Sequence, residues 1–242
     1  MFFRKAILLI HGFAGGIWDY ANVSNDLQRY IDFDVYSFTL PGHEKLIISK
    51  VKREDWIEAS EKQVEKLIQN GYKTIYLVGH SMGGVIACNL ARKYPQVKKL
   101  ILAAPAFEYL SFKDDQLDLI GSIKKSKEII KDHSLETVVS RAFKIPLSTA
   151  LEFTKLIEEH HDDPKYITCP TLILQGTDDS VVPLKSSRYV HKVIKSKTNI
   201  LIEYKGVNHD VFLSERYEDI LKDLIFFLRH KNIITKTDII KK

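Results

Sequence analysis

The sequence of 242 residues has few cysteines, no long apolar run and no block of like charge. Its two cysteines, Cys88 and Cys169, both lie inside apolar segments, which favours buried core residues over a disulfide. The apolar run 6–10 near the N-terminus is too short for a signal peptide or a membrane span. We therefore expect a cytoplasmic protein with no stable membrane insertion.

The net charge of +5 is a mild excess of basic residues spread along the chain. Such a distribution is typical of a solvated surface and does not favour a nucleic-acid partner. Hydrophobic residues make up 45% of the sequence, which is ordinary for a globular protein with a sizeable core.

Strand-like and helix-like segments alternate along most of the chain, which predicts a single α/β unit. The run 6–10 is apolar at every position, as expected of a strand covered on both faces. Short strands joined by helices predict a mostly parallel, doubly wound sheet of about six strands. The predicted strands are 6–10, 34–40, 74–79, 99–104, 170–176 and 199–204.

The alternation lapses between residues 107 and 165, where three helix-like pieces are predicted at 123–131, 135–144 and 149–160. We expect this segment to form a small helical cap over the carboxyl edge of the sheet. The cap is an insertion and not an independent domain, and residues 1–106 and 166–242 form the core. The tail from residue 232 carries no clear signal.

The stretch Gly79-His80-Ser81-Met82-Gly83 has the G-x-S-x-G pattern and lies between an apolar strand and a helix-like segment. A tight turn in this position exposes a serine hydroxyl, and the first amides of the next helix favour developing negative charge. The pattern alone also fits an ordinary glycine-rich turn, so the interpretation depends on finding a base.

Candidates for the base and the acid follow the last two predicted strands. His209 comes just after the strand 199–204, and Asp178 and Asp179 come directly after the strand 170–176. Parallel strands end at one sheet edge, so these side chains and Ser81 are expected to meet. Histidine would then move the serine proton while an aspartate orients it, with either carboxylate able to do so.

Taken together, these motifs resemble the α/β-hydrolase fold serine hydrolases, and among them the small bacterial carboxylesterases and monoacylglycerol lipases. The resemblance covers about residues 6–230, and the first strand corresponds to the third family strand. It implies that Ser81 is the nucleophile, that His209 is the base and that Asp179 is favoured over Asp178 as the acid. It also implies an oxyanion hole formed by the amides of Phe13, in the turn His11-Gly12-Phe13, and Met82.

The cap is short for this family, which leaves the substrate open. His11 and His80 flank the site in sequence, and we interpret them chiefly as structural residues with substrate contact as the alternative. Apolar residues of the cap are candidates for an acyl pocket, although most such residues simply pack: Phe107, Tyr109, Leu110 and Phe143. The run 160–163, His-His-Asp-Asp, is better explained as a polar helix end than as a metal site.

The sequence therefore predicts a hydrolase that cleaves carboxylic esters of short or medium acyl chain through an acyl-enzyme on Ser81, without metal or cofactor. Monoacylglycerol lipase or lysophospholipase activity is the alternative. More distant alternatives are a carbon–carbon bond hydrolase, an acyltransferase and a ligand-binding receptor that keeps the triad. The expected partner is a small-molecule ester, and the oligomeric state is left open.

Overall fold

A parallel sheet forms the centre of the protein. The computed structural model describes residues 4–45, 48–108, 112–113, 116–117, 146–230 and 237–242. The strands are β1 (Lys5–Ile10), β2 (Asp34–Ser37), β3 (Thr74–His80), β4 (Val97–Ala103), β5 (Phe112–Lys113), β6 (Gln116–Leu117), β7 (Thr171–Gly176), β8 (Asn199–Tyr204) and β9 (Thr237–Lys241). Seven of them form one sheet in the order β2-β1-β3-β4-β7-β8-β9, while β5 and β6 form a separate antiparallel pair.

All pairings in the seven-stranded sheet are parallel, as predicted. The sheet has one strand more than expected, because the tail contributes β9, which pairs with β8. Ile239 and Ile240 of β9 remain 46% and 38% exposed, so this edge strand lacks the apolar burial that makes a strand recognisable in sequence. Its backbone pairing with β8 is a tertiary contact that the local pattern does not contain.

Helices cover both faces of the sheet. They are α1 (Ala21–Tyr30), α2 (Arg53–Gln69), α3 (Met82–Lys93), α4 (Leu147–His160), α5 (Leu184–Val193) and α6 (Tyr217–Arg229). Short 3-10 helices span Ile17–Tyr20, Asp163–Tyr166 and Val211–Leu213. Within the described residues, no helix has the length and apolar character needed to cross a membrane.

The sheet separates two apolar clusters, which explains why the sequence of β1 is apolar at successive positions. Leu8 and Ile10 belong to the cluster under α2 and α3, whereas Ile7 and Leu9 belong to the cluster under α1 and α6. Alternate side chains of a strand point to opposite faces, so a strand covered on both sides must be apolar throughout. The predicted doubly wound architecture is therefore confirmed.

A buried lysine ties β4 to the C-terminus of α6. Lys99 is 4% exposed, and its Nζ donates hydrogen bonds to the carbonyl oxygens of Phe227, Leu228 and His230. These carbonyls lie at the end of the helix, where they have no partner within it and where a positive charge is favourable. Burial, and to a lesser extent the charge of Lys5, lowers the pKa of Lys99 to about 8.

The helix α4 is fastened to the core by ion pairs. Arg53 at the start of α2 pairs with Glu152 at 3.0 Å and with Glu159 at 2.7 Å. Arg92 of α3 pairs at 2.6 Å with Asp163, which follows α4. The other two helices predicted for the cap, 123–131 and 135–144, lie outside the described residues.

Candidate active site

Ser81 stands in a sharp turn between β3 and α3. Its backbone has φ 54° and ψ −117°, a conformation that residues with a side chain rarely adopt. The amide of Ser81 donates to the carbonyl oxygen of Ala103 at 2.9 Å, which fixes the turn against the end of β4. An observed backbone outlier of this kind is typical of a nucleophile turn.

The glycines of the motif are required by close packing of the backbone. A Cβ atom on Gly83 would lie 2.0 Å from the carbonyl oxygen of Ile10, and one on Gly79 would lie 2.3 Å from that of Gly83. Both distances are far shorter than van der Waals contact. The two glycines therefore let α3 approach β1 and β3 closely and hold Ser81 at the carboxyl edge of the sheet.

The turn after β1 adjoins Ser81. A Cβ atom on Gly12 would lie only 3.0 Å from Cβ of Ser81, and the amide of Gly15 donates to the carbonyl oxygen of Gly12 at 3.1 Å. Among the described residues, the amides of Phe13 and Met82 have no acceptor. Phe13 follows Gly12 in this turn, and Met82 follows Ser81 as the first residue of α3.

Asp179 and His209 form a buried pair. Nδ1 of His209 and Oδ2 of Asp179 are 2.9 Å apart, and the Asp179 side chain is fully buried. The amides of Val181 and Val182 donate to Oδ1 of Asp179, and Nε2 of Gln175 donates to Oδ2. Four hydrogen bonds thus hold this carboxylate in one orientation, and the imidazole of His209 makes one of them.

Asp178 has a different environment from its neighbour. Its carboxylate accepts a hydrogen bond from the hydroxyl of Thr177 at 2.7 Å, in an exposed position. Its amide donates to the carbonyl oxygen of Val207. The structure therefore brings Asp179 and not Asp178 to His209.

The charges around the pair shift both pKa values. Burial alone lowers the pKa of His209, but the charge and hydrogen bond of Asp179, followed by the charges of Asp210 and Asp19, outweigh burial and raise it. Burial alone raises the pKa of Asp179, but His209 and the donors from Val182 and Gln175 lower it. An imidazole held in this way is a stronger base than a free histidine.

His11 is engaged by the backbone through both ring nitrogens. Its Nδ1 lies 2.9 Å from the carbonyl oxygen of Gly12, and its Nε2 accepts a hydrogen bond from the amide of Leu40 at 3.0 Å. Burial lowers its pKa to about 4, so the ring is neutral near pH 7. This residue joins the turn after β1 to the segment after β2.

His80 lies between the nucleophile turn and the loop of His209. Its Nε2 is 3.0 Å from the carbonyl oxygen of His209, and the centroids of the two rings are 4.8 Å apart. Of the other residues predicted to contact the substrate, the structure describes only Phe107. Phe107 is buried and its amide donates to the hydroxyl of Ser186, while Tyr109, Leu110 and Phe143 lie outside the described residues.

An aromatic cluster beside the site was not predicted from the sequence. The ring of Phe13 stacks on Phe153 of α4 and makes edge contacts with His43 and Trp56. His43 follows the Pro41-Gly42 turn after β2. This turn is the feature of the sequence that could have indicated a residue near the site. The separation of 140 positions between Phe13 and Phe153 leaves no local pattern that could link them.

Histidines of the run 160–163 contact carboxylates within the run and outside it. Nδ1 of His160 lies 2.9 Å from Asp163, and Nε2 of His161 lies 3.0 Å from Glu108. Across the part of the chain that the structure describes, no group of three or more His, Cys, Asp or Glu side chains is arranged to hold a metal ion. Both cysteines are free, with Cys88 buried and Cys169 partly buried.

Known proteins are similar to this chain in sequence and in fold. A carboxylesterase from Bacillus subtilis (strain 168) is 24% identical over 236 residues, covering 93% of this chain and 92% of that protein. A thermostable monoacylglycerol lipase from Bacillus sp. (strain H-257) is also 24% identical over 236 residues, covering 93% and 90%. The solved structure of an esterase from Exiguobacterium antarcticum has a TM-score of 0.72 at 20% identity, covering 95% and 94%.

The family model Hydrolase_4, described as serine aminopeptidase, S33, matches residues 3–216. That range contains the turn after β1, the Ser81 turn, Asp179 and His209. The parallel sheet and the strained serine turn agree with this match. The chain therefore belongs to the Hydrolase_4 family of α/β-hydrolase fold serine hydrolases.

Proposed function

We propose that this protein hydrolyses carboxylic esters of short or medium acyl chain through an acyl-enzyme on Ser81. The observation that supports this most directly is the hydrogen bond between His209 and the buried carboxylate of Asp179. The backbone of His209 is in turn contacted by His80, which immediately precedes the strained residue Ser81. A neutral imidazole oriented by a carboxylate is the base that a serine hydroxyl needs. The names of the relatives, carboxylesterase and monoacylglycerol lipase, agree with an ester as the substrate.

In the first half-reaction, the hydroxyl oxygen of Ser81 attacks the ester carbonyl carbon while Nε2 of His209 takes the hydroxyl proton. The carbonyl oxygen becomes an oxyanion, held by the amides of Phe13 and Met82. Asp179 stabilises the imidazolium through Nδ1. Collapse of the intermediate breaks the bond to the alcohol oxygen, which leaves with the proton from His209.

In the second half-reaction, a water molecule attacks the acyl-enzyme and gives a proton to His209. The oxyanion forms again beside Phe13 and Met82, and its collapse breaks the bond to the Ser81 oxygen. His209 returns the proton to Ser81, and the carboxylic acid leaves. The cycle uses one water per ester, and no metal or cofactor takes part.

Segment 107–165 is proposed to act as the cap that selects the acyl group. Within it, α4 brings Phe153 against Phe13, which places an apolar surface beside the oxyanion turn. A monoacylglycerol or a lysophospholipid is the alternative substrate, since each carries one acyl ester. The free thiols of Cys88 and Cys169 agree with a reducing, cytoplasmic location, which we also propose.

The test compares wild type, Ser81→Ala and the control Ser24→Ala on p-nitrophenyl esters of increasing acyl length. Ser24 lies on α1, a different element from the turn that holds Ser81. We expect turnover and fluorophosphonate labelling in wild type and Ser24→Ala, and neither in Ser81→Ala with its fold retained. Turnover by Ser81→Ala would refute the acyl-enzyme mechanism.

Other activities are distinguished by the substrate set. An aminoacyl 4-nitroanilide tests the peptidase activity that the family description names, and a vinylogous diketone tests carbon–carbon hydrolysis. An added alcohol acceptor tests acyl transfer. Labelling of Ser81 without turnover of any ester would favour a receptor.

A further inference from the structure

His80 occupies the centre of the candidate site without a role in the proton transfers above. It is the last residue of β3 and is 6% exposed. Its Nε2 approaches the carbonyl oxygen of His209 at 3.0 Å, and the same oxygen accepts the amide of Val211 at 2.9 Å. The main chain of His209 is thus held from β3 and also from within its own loop.

The other side of the imidazole faces the turn after β1. A Cβ atom on Gly12 would lie 3.3 Å from Nδ1 of His80 and 3.0 Å from Cβ of Ser81. His80 is also joined covalently to Ser81. The ring of His80 therefore contacts the loop of the proposed base and lies beside the turn of the proposed oxyanion hole. Its own residue immediately precedes the proposed nucleophile.

The ring of His80 is neutral near pH 7. Burial, followed by the charge of His209, lowers the pKa of His80 to about 4, although Asp210, Asp179 and the contact with the His209 backbone act in the opposite direction. A neutral ring does not repel the imidazolium that forms on His209 during the reaction. Its contact with a carbonyl oxygen requires the single ring proton to be on Nε2.

We propose that His80 is a positioning residue for the base: it donates a hydrogen bond from Nε2 to the carbonyl oxygen of His209 and so fixes the main chain that carries the imidazole. The inference rests on the proposed function. Without this donor, the loop of His209 keeps its Val211 bond but loses its anchor to the strand of Ser81. Small displacements of a catalytic group reduce turnover strongly.

The test compares His80→Phe, which keeps a planar ring without a donor, with His80→Gln, which keeps an N–H donor. His230→Phe is the control, since His230 lies after the C-terminus of α6, near the amino end of β4. We expect His80→Phe to lower kcat by about tenfold to a hundredfold with KM little changed. The rate of fluorophosphonate labelling should fall in parallel, while His80→Gln restores most of both and His230→Phe resembles wild type.

The pH profile separates positioning from a general loss of structure. His209 faces Asp179, Asp210, Asp19 and His80. Since His80 is uncharged well above pH 4, replacing it removes no charge there. A looser contact with Asp179 would lower the pKa of His209, so the acid limb of kcat/KM should move to lower pH in His80→Phe and return in His80→Gln.

Unchanged kcat and pH profile in His80→Phe, or equal impairment in His80→Gln, would overturn the inference. If His80→Phe does not fold, the nitrogen-15 spectrum of histidine-labelled wild type decides: we expect the proton of His80 on Nε2, and a proton on Nδ1 instead would overturn the hydrogen bond. A wild type without turnover or labelling would refute the proposed function and this inference with it. If wild type is active and His80→Phe has the same kcat and pH profile, only this inference is refuted and the proposed function stands.

Discussion

The ring of Phe13 stacks on the ring of Phe153 with centroids 4.8 Å apart and planes inclined by 22°. Phe13 belongs to the turn that supplies a proposed oxyanion amide, and Phe153 belongs to α4, which lies within the proposed cap segment 107–165. Ion pairs from Arg53 hold α4 against α2. The position of the turn and the position of this helix are therefore linked through one pair of aromatic rings.

Replacing Phe153 by alanine should disturb the turn of Phe13. We expect kcat for a p-nitrophenyl ester to fall by about tenfold, because a displaced oxyanion donor loses part of its contribution. Stability should fall by about 3–5 kcal/mol, since a buried aromatic ring is lost. The control is Leu147→Ala on the same helix, where the side chain is 63% exposed. Equal kcat values for the two variants would show that α4 does not support the turn.

The two adjacent aspartates provide a matched pair for mutation. Asp179→Asn should lower kcat by about 10³-fold to 10⁴-fold, because the amide cannot hold His209 in its tautomer or stabilise the imidazolium. Asp178→Asn should change kcat by no more than a few fold, since its carboxylate contacts Thr177. Steady-state kinetics of the two variants measure the difference. The reverse order of effects would identify Asp178 as the acid.

The activity of wild type should depend on pH through His209. The base must be neutral to accept a proton, and its pKa is raised above 6.5, so kcat/KM should fall as pH drops through that raised value. In Asp179→Asn, His209 loses the carboxylate charge and its hydrogen bond, which are the main effects that raise its pKa, while burial still lowers it. The acid limb of its residual activity should then move to lower pH. A profile of kcat/KM that moves to higher pH in this variant would contradict the assigned pair.

The strained backbone of Ser81 predicts an unusual stability effect. Ser81→Gly should be more stable than Ser81→Ala by about 1 kcal/mol, because glycine adopts positive φ without strain. Both variants lose the hydroxyl and should be inactive, so function does not confound the comparison. Urea denaturation of the two proteins gives the difference. A more stable Ser81→Ala would mean that the turn is not strained in solution.

Lys99 predicts a stability that rises with pH. Between the folded pKa of about 8 and the ordinary value of 10.5, the unfolded chain binds more protons at this residue than the folded chain does. The free energy of unfolding of wild type, relative to Lys99→Met, should therefore increase over that range. At neutral pH Lys99→Met should be less stable by about 1–3 kcal/mol, because carbonyls at the end of α6 lose their donor. If the difference in unfolding free energy between wild type and Lys99→Met stays constant across this pH range, the pKa of Lys99 is not lowered in the folded protein.

The core of the fold could be predicted from the sequence because its signals are local. The apolar run of β1 indicates burial on both faces of the strand. The glycines around Ser81 indicate that backbone segments approach too closely for a side chain to fit. Alternation of strands and helices implies a parallel sheet, which brings the loops after β3, β7 and β8 to one edge. Composition and spacing suffice for these features, since each follows from neighbouring residues.

Only the tertiary structure decided the features that depend on residues far apart in the chain. The edge strand β9 forms through backbone pairing with β8 while its side chains stay partly exposed. The choice between Asp178 and Asp179 depends on which carboxylate the loop after β7 turns towards His209. The contacts of His80 with His209, and of Phe13 with Phe153, exist because folding packs distant segments together. Local patterns encode which face a residue buries, whereas its partner across the fold is set by packing.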